Sequence, residues 1–229
     1  MASHGTAGYT EELRSRFNTR WRATHYDHPF VKAIGDGSLS LDRFRFFMQQ
    51  DYLFLIDYAR AIAIASAKSP DLESMGRWAK MLDETLNSEM ALHRSFCADF
   101  GITAEELALT APSPATVSYT RHLVDTAYNC SIAEIAAAML PCQWGYDDAG
   151  RHLATNLTAA EGSLHARWVQ GYNAPEYREV TAWLRDFTDG LAEKADEEER
   201  ERMATLFEES LRQEWLFWEA AWSLETGPS

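Results

Sequence analysis

Apolar side chains recur along this chain at three- and four-residue spacing almost from end to end. They hardly ever alternate. The stretch "LDRFRFFMQQDYLFLIDYARAIAIASAK" (41–68) shows the pattern most plainly, and that period marks helix faces rather than strands. End signals divide the chain further. Thr10 is positioned to cap a helix through "EELRSRFNTRWRATHYD", and Asp27 to Gly37 reads as a short helical piece closed by a turn. Ser40 opens the long apolar stretch, and Ser69 with Pro70 reads as a cap and first-turn proline for a helix running through Phe100 to Gly101. Thr103 with Glu106 and Ser131 with Glu134 are capping boxes. Pro175 starts a further helix, and Asp196 starts the last, which reaches about Leu224. The Asp-Gly pairs at 36–37 and 189–190 fall between helical patterns, not between β-branched runs. The expectation is an all-α, single-domain helical bundle of roughly eight to ten helices over 10–229, after a disordered tail at 1–9.

Composition supports a packed core: apolar residues make up 46% of the chain and aromatics 12%. No apolar stretch nears the roughly 18–20 residues of a membrane span, and the amino terminus lacks the basic-then-apolar order of a secretory signal. The formal charge of −14 repels nucleic-acid phosphates and anionic membranes, and no basic stripe offsets it. A nucleic-acid partner and a membrane partner are therefore not expected. Cys97, Cys130 and Cys142 are odd in number and form no C-x-x-C pair. That fits free thiols in a reducing, cytoplasmic setting better than a disulfide or zinc framework.

Function in a helical bundle comes from polar groups that point inward, and three positions stand out. In "AEIAAAMLPCQWGYDDAG" (133–150) an apolar helix carries Pro141 in mid-run, with Cys142 directly behind it and Tyr146 one turn on. The proline should bend the helix and turn the thiol into a cavity; the plain alternative is a buried cysteine acting as a small apolar residue beside a tolerated kink. Glu214 has Leu211, Phe217 and Trp218 at helical spacing. Burial there would hold its carboxyl partly protonated near neutral pH, as a general acid requires; otherwise it sits at the edge of the stripe and reaches solvent or an arginine. Asp51 lies among Phe47, Met48, Phe54, Leu55 and Tyr58, so it needs an arginine, a neighbouring helix or a ligand with N–H donors. Together a thiol, two acids and several rings suit a flat, nitrogen-rich ring open to covalent attack. Glu89 with His93 is a single pair without a second copy, which reads as a surface or capping contact, and His25 with His28 is a poor metal signal. No nucleophile elbow, P-loop or dinucleotide fingerprint is present.

The segments "QQDYLFLIDYA", "SEMALHRSF", "PSPATVSYTRHL", "AEIAAAMLPCQWGY" and "EWLFWEAAW", in this order and spacing, resemble the TenA/thiaminase II family over about residues 20 to 225. The resemblance implies a haem-oxygenase-like bundle, a homotetramer, and no metal or organic cofactor. It implies hydrolysis of 4-amino-5-aminomethyl-2-methylpyrimidine to the hydroxymethyl pyrimidine in thiamin salvage, and for many members cleavage of thiamin itself. By the same resemblance Cys142 is the nucleophile, Glu214 assists proton transfer and Asp51 contacts the aminopyrimidine. Tyr119, Tyr146, Tyr172 and Phe217 line the site. Phe54 departs from the family, where a tyrosine is common, and the lost hydroxyl bears on substrate preference and activity. Gln143 is a smaller departure. The alternative is a pyrimidine-binding or partner-regulating protein on the same fold that does not turn its ligand over. Cys97 and Cys130 read as packing residues.

Overall fold

A computed structural model of the chain describes residues 8–225. Twelve α-helices follow one another among them: α1 (Tyr9–Arg16), α2 (Asn18–His25), α3 (Pro29–Asp36), α4 (Leu41–Lys68), α5 (Leu72–Asp83), α6 (Met90–Asp99), α7 (Ala104–Leu109), α8 (Pro114–Asn129), α9 (Ile132–Thr155), α10 (Leu164–Tyr172), α11 (Pro175–Ala192) and α12 (Glu197–Ser223). A π-helical segment, Glu84–Glu89, joins α5 to α6. No strand occurs among the described residues, and no helix there is long and apolar enough to cross a membrane.

The helix ends follow the local chemistry with some corrections. Both capping boxes form: the Ser131 amide donates to Glu134 at 2.8 Å and the Thr103 amide to Glu106 at 2.8 Å. Asp196 accepts from the Glu199 amide at 2.8 Å, so the acidic run around it is the first turn of α12. Thr10 is not a cap. Gly8 holds that position, and the Thr10 amide instead donates to Asp189 at 2.7 Å. The first helix breaks at Phe17 into α1 and α2. Asp71, not Ser69, caps α5, because its carboxylate accepts from the Ser74 amide while Ser69 closes α4. The helix expected to run unbroken to Phe100 is interrupted by the π segment, and these breaks, with the Ser163-capped α10, raise the helix number above the expected range. Of the expected tail, residues 1–7 lie outside the described residues, whereas Tyr9 already opens α1.

α9 is the axis of the bundle. Every residue from Ala133 to Asp147 is buried, because α12, α11, α10 and α8 all pack on it. A helix so enclosed must be apolar or small on every face, and "AAAMLP" meets that need. Pro141 lies inside α9, which is continuous from Ile132 to Thr155. The missing N–H frees the carbonyl of Ala137 from the helical ladder. Gly150 lets α10 approach: a Cβ there would lie 2.8 Å from the Tyr172 carbonyl carbon. Helix α4 packs against α5, α6 and α8 on the other side of the core.

Candidate active site

On α4, Asp51, Phe54 and Tyr58 share one inward face, and each is about 3% exposed. Asp51 is paired with His93 of α6, whose Nε2 lies 2.5 Å from Asp51 Oδ2. The other ring nitrogen, Nδ1, lies 2.9 Å from the Glu89 carbonyl. A carbonyl can only accept, so Nδ1 carries a proton, and the carboxylate on the far side favours a second proton on Nε2. Burial by itself pulls the His93 pKa down, but the Asp51 charge and hydrogen bond, with Glu89, raise it overall. The Glu89–His93 pair is thus a correction. His93 is 2% exposed and serves the interior, not the surface. The π segment ends at Glu89, and its wider winding re-aims the side chains that follow it.

Glu214 of α12 is 1% exposed. The Tyr119 hydroxyl, from α8, donates to its Oε1 at 2.7 Å, while its Oε2 has no partner. Burial pushes the Glu214 carboxyl up to about 8, against the pull of the Tyr119 bond, so it is mostly protonated at neutral pH. Cys142 of α9 is buried beside it. Burial, then the carboxyls of Glu214, Asp51 and Glu89, push the thiol well above its ordinary value. At rest it is a thiol, not a thiolate. Glu89 itself is pushed up to about 7 by burial, against the His93 charge.

Rings close the cluster. Phe54 packs on Tyr119 at 4.9 Å, on Tyr58 at 5.6 Å and on Phe217 at 5.7 Å. Tyr146 packs edge-on to Tyr172 at 4.8 Å. The Tyr172 hydroxyl donates to Glu89 at 3.4 Å. Residues from α4, α6, α8, α9, α10 and α12 therefore meet in one buried place.

A match to the TENA/THI-4/PQQC family covers residues 15–224. The chain belongs to that family. It is 39% identical over 215 residues to an aminopyrimidine aminohydrolase of Halalkalibacterium halodurans, covering 94% of this chain and 96% of the relative. A solved structure from Silicibacter sp. TM1040, described as a TenA family transcription regulator, superposes with a TM-score of 0.88 at 26% identity, covering 96% of this chain and 99% of that one. A Shewanella denitrificans OS217 domain with a heme oxygenase-like fold gives a TM-score of 0.72 at 14% identity, covering 94% and 92% of the two chains; that likeness concerns the fold, which is the expected haem-oxygenase-like bundle.

In this TenA-family chain the eight residues singled out from sequence, Cys142, Glu214, Asp51, Phe54, Tyr119, Tyr146, Tyr172 and Phe217, are all buried. A cavity of about 350 Å³ lies alongside, lined by Glu84, Glu89, Gln143, Tyr172, Glu176 and Tyr177 among others. Cys142 does not line it; Glu89 and Tyr172 belong both to its wall and to the cluster around the thiol. Among the described residues no three His, Cys, Asp or Glu side chains are grouped to hold a metal ion.

Sequence reasoning missed His93, Glu89, Tyr58 and Tyr177. The four-residue spacing of Glu89 and His93 was visible, but nothing in it showed that both face inward. Tyr58 stood in plain view on the Asp51 face as an apolar neighbour; its hydroxyl was overlooked. Tyr177 reaches the cluster through tertiary packing and carried no signal.

Proposed function

We propose that this chain hydrolyses an aminopyrimidine bearing an exocyclic aminomethyl group, releasing ammonia and the hydroxymethyl pyrimidine. The observation that carries the reading is the buried meeting of Cys142, the unpartnered Oε2 of Glu214 and the Asp51–His93 pair. The similarity to a relative named aminopyrimidine aminohydrolase supports the substrate class. Orphaned polar atoms in such a place suit a polar ligand.

The reaction follows from the protonation states. Asp51 accepts N–H bonds from the aminopyrimidine, and His93 holds Asp51 in place and balances its charge. Cys142 rests as a thiol, so sulfur adds to a ring carbon while its proton goes to the adjacent ring nitrogen. The ring nitrogen's electrons then expel the amine from the methylene, and Glu214, protonated at neutral pH, donates to it as it leaves. Water adds to the methylene and gives its second proton to the Glu214 carboxylate, sulfur departs with the ring's extra proton, and the thiol and the Glu214 acid are both restored. Tyr119 fixes the Glu214 carboxyl, Tyr146, Tyr172 and Phe217 hold the ring, and Phe54 supplies a face without a hydroxyl. The cavity alongside is bounded by Glu84, Glu89 and Glu176, whose carboxyls suit a cationic amine.

The test is turnover of the aminomethyl pyrimidine and of thiamin by purified protein, compared with Cys142→Ser. Hydrolysis by the wild type and none by the variant is expected. Binding without turnover would instead favour a non-catalytic pyrimidine-binding protein, a reading to which the resting thiol lends weight. Cytoplasmic location and a homotetramer complete the proposal; sedimentation measures the second.

A further inference from the structure

We propose that the cavity beside Glu89 and Tyr172 is a second subsite, which takes an alkylamine arm carried on the exocyclic nitrogen, so that the chain also hydrolyses N-aminoalkyl derivatives of the aminomethyl pyrimidine. This rests on the aminopyrimidine hydrolysis proposed above and extends its leaving side.

Ammonia needs little room. It is about the size of a water molecule, whose share of liquid volume is roughly 30 Å³, whereas the cavity measures about 350 Å³. The charge of its wall has one sign: Glu84, Glu89 and Glu176 line it, and among the described residues no lysine, arginine or histidine does. Lys80, which is not part of the wall, reaches Glu84 at 3.5 Å. Glu89 and Glu176 have no lysine or arginine partner among the described residues, so they are left for a cation inside the cavity.

The carboxyls are not the only sign of a ligand. Gln143 follows Cys142 on α9, is 4% exposed and belongs to the wall. Its Nε2 donates to Thr181 Oγ1 at 3.2 Å, and its Oε1 accepts no hydrogen bond among the described residues. A buried amide oxygen left open in a cavity wall suits a ligand N–H. Tyr172 and Tyr177 also line this space, and their rings stand 5.1 Å apart at an interplanar angle of 89°. Two crossed rings beside carboxylates are the surroundings an alkylammonium prefers. Leu92 and Val180 offer apolar surface to the methylenes of the arm. Tyr172 joins the cavity to the thiol cluster, because it packs on Tyr146 at 4.8 Å while its hydroxyl donates to Glu89 at 3.4 Å. The chemistry is that of the parent reaction with a larger leaving group. The carbon–nitrogen bond to the methylene breaks, Glu214 protonates the departing nitrogen, and the arm leaves as a diamine. Water supplies the hydroxyl and returns a proton to Glu214.

The experiment compares two arms of equal length on the same pyrimidine, N-aminopropyl and N-butyl, which differ only in the terminal group. The wild type is expected to favour the aminopropyl compound in kcat/KM by about ten- to hundredfold, the worth of a hydrogen bond between charged groups. The double variant Glu84→Gln, Glu176→Gln, verified by a thermal melt matching wild type, and the single variant Glu89→Gln should each bring that ratio towards unity. Calorimetry on Cys142→Ser measures binding of both compounds without turnover. Equal binding of the two arms, or a preference that both the double and the single variant leave unchanged, overturns the proposal. If the wild type hydrolyses no pyrimidine while Cys142→Ser still binds the aminopropyl compound more tightly, the hydrolase reading fails and the subsite stands.

Discussion

Replacing His93 with glutamine removes the cation beside Asp51 while filling much of the same space. The two groups are 2.5 Å apart, and both are almost fully buried. A buried carboxylate that loses its partner costs about 3–5 kcal/mol, the loss seen when one side of a buried pair is removed. For a domain of this length that corresponds to a fall in Tm of roughly 6–20 °C. The wild-type pair carries its own pH dependence. His93 binds its proton more tightly when folded, so its contribution is complete below the unfolded value of about 6.5 and fades as pH rises through the higher folded value. Urea and thermal unfolding of both proteins at pH 5 and pH 7 measure the difference. Adding Asp51→Asn to His93→Gln should recover most of the loss. A His93→Gln variant as stable as wild type at pH 7, or a double variant no better than the single, would refute a charged pair at this place.

Glu214→Gln should fold and lose about 10²–10⁴ in turnover, the usual worth of a general acid; near-normal rates would remove Glu214 from the mechanism. Because Glu214 is pushed up to about 8, folding takes up a proton, so its contribution to stability is full below about 4.5 and is lost as pH rises through 8. Unfolding curves should be flatter against pH in the glutamine variant. Cys142→Ser should abolish turnover in a folded protein, while Cys97→Ala and Cys130→Ala retain it; intact-mass measurement with substrate should show an adduct on the wild type and none on Cys142→Ser. Gly150→Ala would press a methyl against the Tyr172 backbone at 2.8 Å, costing about 1–3 kcal/mol and raising KM as Tyr172 shifts; an unchanged melt and KM would show that α10 can yield.

The fold and much of the candidate site were legible because each is written locally. Ser131 and Glu134 satisfy each other's backbone within three residues, so the start of α9 needs no other part of the chain. The apolar neighbours of Glu214 lie on its own helix, so burial with a raised pKa was one of two readings open from local sequence, and packing decided for it. Asp51 likewise announced that it needed a partner. What sequence could not supply was the partner's identity: His93 lies in a different helix, and its inward aim depends on the π segment before it and on α4 behind it. The same holds for the cavity beside Glu89 and Tyr172. Periodicity and capping are properties of neighbouring residues, so the chain alone determined its helices and which faces seek the interior. Which buried groups meet, and what protons they hold, depends on Coulomb and hydrogen-bond contacts across helices, and only the packed bundle decides those.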